Sequence, residues 1–187
     1  MRVIPASIPD VLLIEPDVFR DNRGFFLETF HAERYAAHGV RGPFVQDNHS
    51  RSVQGTVRGL HLQVARPQAK LIRVIVGEIF DVAVDVRVGS PTFGQWVGER
   101  LSADSFRQYY IPEGFAHGFS VLSPVAEIEY KCTDLYDAPG QIGLAWNDPV
   151  LGIPWGVDNP VLSERDRLNP TIAESLDRLP RYRGTKA

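Results

Sequence analysis

The sequence predicts an all-β protein, an antiparallel sandwich or barrel with a few short peripheral helices. Three observations lead there. Apolar residues recur with a period of two over most of the chain, the candidate strands are short and rich in β-branched or aromatic residues, and turn-forming clusters separate them. In chain order, the turn DNRG at 21–24 leads into a candidate strand over 24–30, and helical spacing is confined to 31–38 before strands resume. Strands are expected over 57–63, 70–76, 79–87 and 95–101, the last two separated by Gly89-Ser90-Pro91. After the turn Pro112-Glu113-Gly114, the residues Ala126, Ile128, Tyr130 and Cys132 alternate with Glu127, Glu129 and Lys131, which places the two sets on opposite faces of a strand. Turns follow at Ala138-Pro139-Gly140 and Asn147-Asp148-Pro149. Ser163 with Asp166 three residues later reads as the cap of a short helix, a second short helix is expected near 172–179, and residues 181–187 are expected to fray.

A chain of 187 residues fits one unit, with a core over about 8–166 and a helical tail over about 163–187. With 43% apolar and 23% charged residues it is neither a disordered nor a fibrous chain. A net charge of −3 argues against a nucleic-acid partner, because displacing counterions from phosphates needs a basic surface, so an anionic ligand would have to meet local arginines. The single Cys132 offers no internal disulfide, and the short apolar run at 11–14 is too brief for a signal peptide or a membrane span. A cytoplasmic protein with no membrane partner is expected.

Two segments carry the chemistry, GTVRGLHLQVARPQAKLIRVIVG at 55–77 and PEGFAHGF at 112–119. Their spacing is similar to the two motifs of cupins, which implies a double-stranded β-helix, or jelly-roll barrel. Metal-binding cupins supply two histidines one residue apart, a glutamate, and a third histidine. Here His61 and His117 keep imidazoles, but Gln63 stands at the second histidine position and Lys70 at the glutamate position. An ammonium cannot ligate a divalent cation and repels one. No metal and no cofactor are therefore expected. A histidine beside a fixed positive charge suits proton removal next to a carbonyl instead, with the charge stabilising the oxyanion that results. Only three lysines accompany seventeen arginines, and Lys70 read alone fits a solvated strand end equally well.

The strings FRDNRGFFLETF (19–30), FVQDNHSRS (44–52), VRGLHLQ (57–63), GEIFDVAVDVRVGSPTFGQWVGERLSA (77–103), IPEGFAHGFSVLS (111–123), EYKCTDLY (129–136), WNDPVLGIPW (146–155) and LSERD (162–166) resemble the dTDP-4-dehydrorhamnose 3,5-epimerase family, in the family's order. The resemblance implies a cofactor-independent epimerisation at C3 and C5 of a dTDP-4-keto-6-deoxy sugar on the way to dTDP-L-rhamnose. A ketone at C4 acidifies both neighbouring C–H bonds, so one base and one oxyanion stabiliser can serve both carbons. The absence of a G-x-G-x-x-G turn or a P-loop fits this reading.

The resemblance carries roles onto individual positions. His61 matches the base, Asp166 its partner carboxylate, Lys70 the group neutralising the C4 oxygen, and Tyr130 the acid that reprotonates the opposite face. Arg23 and Arg58 match diphosphate contacts, and Glu28, Gln46, Asn48 and His117 match other substrate contacts. Phe19 and Phe26 match residues contributed by the neighbouring subunit of a homodimer. Taken alone, Asp166 reads as a helix-start residue, Tyr130 as a core tyrosine, His117 as a satisfied histidine in a turn, and Gln46 and Asn48 as turn or strand-end residues. Strict alternation puts Arg58 and His61 on opposite faces of their strand, unless Gly59 introduces a bulge. Ala69, the pair Tyr109-Tyr110, and Leu135 depart from the residues common in the family and bear on nucleobase stacking and substrate preference. Three alternatives remain: a mono-epimerase acting at C3 or C5 only, a metal cupin using His61, Gln63 and His117, and a non-catalytic sugar-nucleotide binding module.

Overall fold

The computed structural model describes residues 1–184. Two antiparallel sheets face each other. One holds six strands in the order β1 (Arg2–Pro5), β2 (Leu12–Glu15), β10 (Gln108–Ile111), β7 (Lys70–Val76), β12 (Val125–Cys132) and β5 (Gln46–Val53). The other holds five, in the order β13 (Gln141–Gly143), β6 (Val57–Gln63), β11 (Phe115–Val121), β8 (Glu78–Asp85) and β9 (Trp96–Ser102). From β5 to β13 successive strands alternate between the sheets, except that β8 and β9 pair with each other, and the result is the expected jelly-roll barrel. A separate two-stranded hairpin, β3 (Val18–Asp21) with β4 (Gly24–Leu27), stands apart from both sheets.

Three apolar layers hold these sheets. Ile72, Val74, Ile79, Ala83, Tyr109, Phe119 and Ile128 fill the space between them. Leu60, Leu62, Val82, Val84 and Ala116 face outward from the five-stranded sheet and are covered by Leu144, Leu151, Trp155, Ile172 and Leu179 from the C-terminal third of the chain. Leu12, Ile14, Leu71 and Tyr110 pack with Tyr35 of helix α1 (Ala32–Ala37) on the outer face of the other sheet. Because β11 is covered on both faces it is buried at every position. Its sequence therefore lacks the alternation that marks a half-exposed strand.

Strands β6 and β7 and helix α1 form where their residue patterns place them, and α2 (Glu164–Arg167) starts at Ser163, whose hydroxyl accepts the Asp166 N–H at 3.0 Å. Several expectations need correction. The sheet reaches further than the core: β1 pairs with β2 along its whole length, while the first buried residue is Ile8. The strand expected over 24–30 ends at Leu27. The second short helix is a 3-10 turn over Ala173–Arg178. Residues 181 and 182 do not fray: Arg181 bridges Val88, and the Tyr182 N–H donates to the Val88 carbonyl at 3.0 Å. The rest of that expectation, over 185–187, lies outside the described residues.

Candidate active site

The cavity between the sheets, about 800 Å³, opens where β5, β6, β7 and β12 line it. Eight of the expected residues meet there: His61, Asp166, Lys70, Tyr130, Arg58, Gln46, Asn48 and His117.

On the five-stranded wall, His61 of β6 lies directly opposite His117 of β11. The register then slips, so that Arg58 pairs with Phe119; three steps along β6 match two along β11. The extra residue is accommodated at Gly59, which has φ +126 and precedes a cis peptide bond to Leu60. This bulge turns both Arg58 and His61 toward the cavity, resolving the conflict that strict alternation creates. Arg58 is tethered across the gap, its Nε donating to the Ser52 hydroxyl at 2.9 Å.

His61 Nε2 and Asp166 Oδ1 lie 2.6 Å apart, although 105 positions separate the residues in the chain. Asp166 sits in the first turn of α2, 4% exposed. Burial pushes its carboxyl upward, but the hydrogen bond and charge of His61 outweigh this, with help from Ser163, and hold the group below the usual aspartate range. The pairing assigns a proton to Nε2 and leaves Nδ1, which has no partner among the described residues, as the basic nitrogen. Asp166 is thus both a helix-start residue and a histidine partner, because the cap uses its backbone N–H and leaves its carboxylate free.

The facing wall follows from strand register. Lys70 opens β7 opposite Cys132 of β12, which in turn lies opposite Gln46 of β5. In the neighbouring row Tyr130 lies between Ile72 and Asn48. Burial raises the pKa of the Tyr130 hydroxyl, which therefore keeps its proton at neutral pH; the nearby Cys132 adds to the effect and Arg58 opposes it. Burial lowers that of Lys70, only partly offset by Cys132 and Asp81. Gln46 and Asn48 are already linked: the Gln46 amide donates to Asn48 at 3.0 Å, and its carbonyl accepts the Tyr136 N–H at 2.8 Å.

His117 is a strand residue of β11, not a turn residue, and its Nε2 lies 2.9 and 3.0 Å from the two carboxylate oxygens of Asp81. Burial lowers its pKa against the opposing pull of Asp81. Among the described residues no group of three or more His, Cys, Asp or Glu side chains is placed to hold a metal ion.

Four expected residues lie elsewhere. Arg23, Phe19 and Phe26 sit on the β3–β4 hairpin, with Phe19 65% and Phe26 70% exposed and Arg23 paired to Asp21. Glu28 pairs with Arg34. Tyr109 and Tyr110 belong to the apolar layers and do not line this cavity. Tyr136, Gln141 and Arg165 do line it, joined by bonds from Arg165 Nη1 and the Tyr136 hydroxyl to the Gln141 side-chain carbonyl at 2.7 and 3.1 Å. Sequence reasoning missed these three as site residues, although Tyr136 and Arg165 lie inside matched strings and Gln141 follows one closely.

The Lys70 ammonium carries a stability cost that can be measured. A lysine whose folded pKa lies below its unfolded value near 10.4 disfavours folding while charged, and the cost shrinks as pH rises between the two values. Lys70→Met is therefore expected to raise Tm at pH 7, at about 2–4 °C per kcal/mol gained, while activity falls. Thermal melts at pH 7 and above pH 10 check this; an unchanged or lower Tm at pH 7 contradicts it.

The model of the dTDP-4-dehydrorhamnose 3,5-epimerase family matches residues 5–174. The dTDP-4-dehydrorhamnose 3,5-epimerase of Pseudomonas aeruginosa is 54% identical over 177 residues, covering 94% of this chain and 98% of that one. The crystal structure of dTDP-6-deoxy-D-glucose-3,5-epimerase from Legionella pneumophila Philadelphia 1, in complex with dTDP-4-keto-L-rhamnose, superposes with a TM-score of 0.95 at 47% identity over 98% of this chain and 99% of that one. At lower identity, 42% over 186 residues, stands the dTDP-4-dehydrorhamnose 3-epimerase of Streptomyces niveus, with 97% of this chain and 90% of that one covered. With its jelly-roll barrel, its His61–Asp166 pair and a match across most of its length, this chain belongs to the dTDP-4-dehydrorhamnose 3,5-epimerase family.

Proposed function

We propose that this chain is a cofactor-independent isomerase that converts dTDP-4-dehydro-6-deoxy-D-glucose to dTDP-4-dehydro-L-rhamnose, inverting both C3 and C5. The observation that carries the reading is an aspartate-paired histidine and a protonated tyrosine on opposite walls of one cavity, with Lys70 on the tyrosine's wall in the next row of the sheet. Facing sheets lie about 10 Å apart, so a pyranose ring between them presents one face to His61 and the other to Tyr130. His61 Nδ1 takes the proton from the carbon next to the C4 ketone. The C–H electron pair becomes the enolate double bond, and the carbonyl pair moves onto the C4 oxygen, where Lys70 balances the negative charge. Tyr130 then returns a proton to the opposite face, and inversion follows because donor and acceptor are different groups. Asp166 stabilises the imidazolium formed in the first step and fixes the ring.

Arg58 at one end of the cavity suits the diphosphate. The exposed hairpin carrying Phe19, Phe26 and Arg23 suits the cavity of a second copy, where the two rings would cover the nucleotide and the guanidinium would add to Arg58; exposed aromatic side chains of this size mark contact surfaces. A homodimer acting in the cytoplasm, with no nucleic-acid or membrane partner, completes the reading. A buried lone thiol, Cys132, fits that reducing compartment.

The second reading is a mono-epimerase acting at C3 or C5 alone on a related dTDP-4-keto sugar, favoured by the likeness to the Streptomyces niveus protein. Incubation with dTDP-4-dehydro-6-deoxy-D-glucose in deuterium oxide separates the two. Label at C3 and C5 together is expected; label at one carbon supports the second reading, and label at neither overturns both.

A further inference from the structure

We propose that Gln63 is a substrate-binding residue of the same reaction, holding the ketone edge of the sugar together with Lys70; this rests on the epimerase reading above. Gln63 is 6% exposed and lines the cavity, yet neither its side-chain oxygen nor its nitrogen has a hydrogen-bond partner. A buried amide left unpaired costs about 1–3 kcal/mol, and Gln63 is one of only two residues among those described whose buried side-chain polar atoms lack a partner, the other being Ser175. Ser175 does not line the cavity, whereas Gln63 does.

Position along the strand says which part of the ligand it meets. Arg58, His61 and Gln63 follow one another along the cavity wall of β6. At about 3.3 Å per residue, Gln63 lies about 7 Å beyond His61, on the side away from Arg58. Gln63 ends β6 and Lys70 begins β7, so the connecting segment brings both to the same end of the barrel on opposite walls. A sugar joined through C1 to a diphosphate at Arg58, with its reacting carbons at His61, points C4 toward that end. A carboxamide supplies one donor and one acceptor. Nε2 donates to the C4 oxygen beside the Lys70 ammonium, and Oε1 accepts from the neighbouring C3 hydroxyl. No proton leaves Gln63 in this step; its donated bond strengthens as the carbonyl oxygen becomes the enolate oxygen. The position that would hold a metal-binding histidine in other barrels of this type thus holds a neutral group that recognises both ketone and hydroxyl.

The test compares the wild type with Gln63→Met, which keeps side-chain length, and Gln63→Glu, which keeps an acceptor and removes the donor. Both are expected to bind dTDP within about twofold of wild type, since dTDP lacks the sugar. Turnover of dTDP-4-dehydro-6-deoxy-D-glucose is expected to fall about 10²-fold, the size of effect seen when one oxyanion donor is lost, and Gln63→Glu is expected to be the slower of the two. A purely structural role would lower Tm and dTDP affinity while sparing kcat. If the wild type labels the sugar in deuterium oxide and either variant that binds dTDP keeps kcat within threefold, the Gln63 assignment falls and the epimerase reading stands. If the wild type labels nothing, both fall. Should Gln63→Met fail to bind dTDP, the same comparison is read from Gln63→Glu.

Discussion

His61→Asn is expected to lower turnover of the keto sugar by about 10³–10⁴-fold, the contribution of an oriented general base, while dTDP binding stays close to wild type. The ring contributes through one nitrogen, and in the proposed binding mode the nucleotide's diphosphate meets Arg58 instead. Asp166→Asn is expected to cost up to about 10⁴-fold. It retains the cap of α2, because Ser163 receives the backbone N–H of residue 166 and not its side chain. The loss therefore reports on orientation and charge at His61 and not on unfolding of the helix. Turnover by product NMR, with dTDP titration on the same samples, checks both variants. A His61→Asn protein that turns over within tenfold of wild type contradicts the assignment.

Gly59→Ala is expected to be the most destabilising single change near the site. A Cβ at this position would stand 2.5 Å from the Gly118 Cα and 2.8 Å from the His117 carbonyl oxygen, both backbone atoms of the paired strand, and φ is +126. Neither contact can be relieved by turning a side chain. A cost of about 3–5 kcal/mol corresponds to a fall in Tm of roughly 6–20 °C for a chain of this size. Gly55→Ala is the control: φ there is +77 but no atom lies within 4 Å of the added Cβ, so only the conformational cost remains. That cost is about 1–2 kcal/mol. Because Gly59 aims His61, Gly59→Ala is also expected to lose activity below its Tm, whereas Gly55→Ala keeps it. Equal melting temperatures for the two variants would contradict the packing argument.

The strands most legible in the sequence were those bounded by turn signals and carrying motif residues. Residues 57–63 and 70–76 match β6 and β7 end to end because their patterns, turns and motif residues agree. Strand β5, with the sequence QDNHSRSV, is different. Its inward residues Gln46, Asn48, Ser50 and Ser52 face a polar cavity and its outward residues are mostly charged or polar, so no apolar alternation exists to find. Strand β11 hides for the opposite reason, being buried on both faces. The site divides in a similar way. The motif chemistry singled out His61 and Lys70, and the bulge at Gly59 followed from the clash between alternation and the need for Arg58 and His61 on one face. Asp166 was visible only through the family resemblance, since no local pattern links residues 105 positions apart. Gln63 stood in view as a departure from a metal-binding pattern, and its unpaired amide emerges only from packing.

The mechanism depends above all on Asp166 holding the Nε2 proton of His61 and leaving Nδ1 as the base. Long-range 15N–1H NMR of histidine-labelled protein measures this directly, and with five histidines in the chain the His61 signals are assigned by their loss in His61→Asn. The Nε2–H tautomer is expected for His61, with a strongly deshielded Nε2 proton whose shift changes in Asp166→Asn. An Nδ1–H tautomer, or a His61 spectrum indifferent to Asp166→Asn, would contradict it.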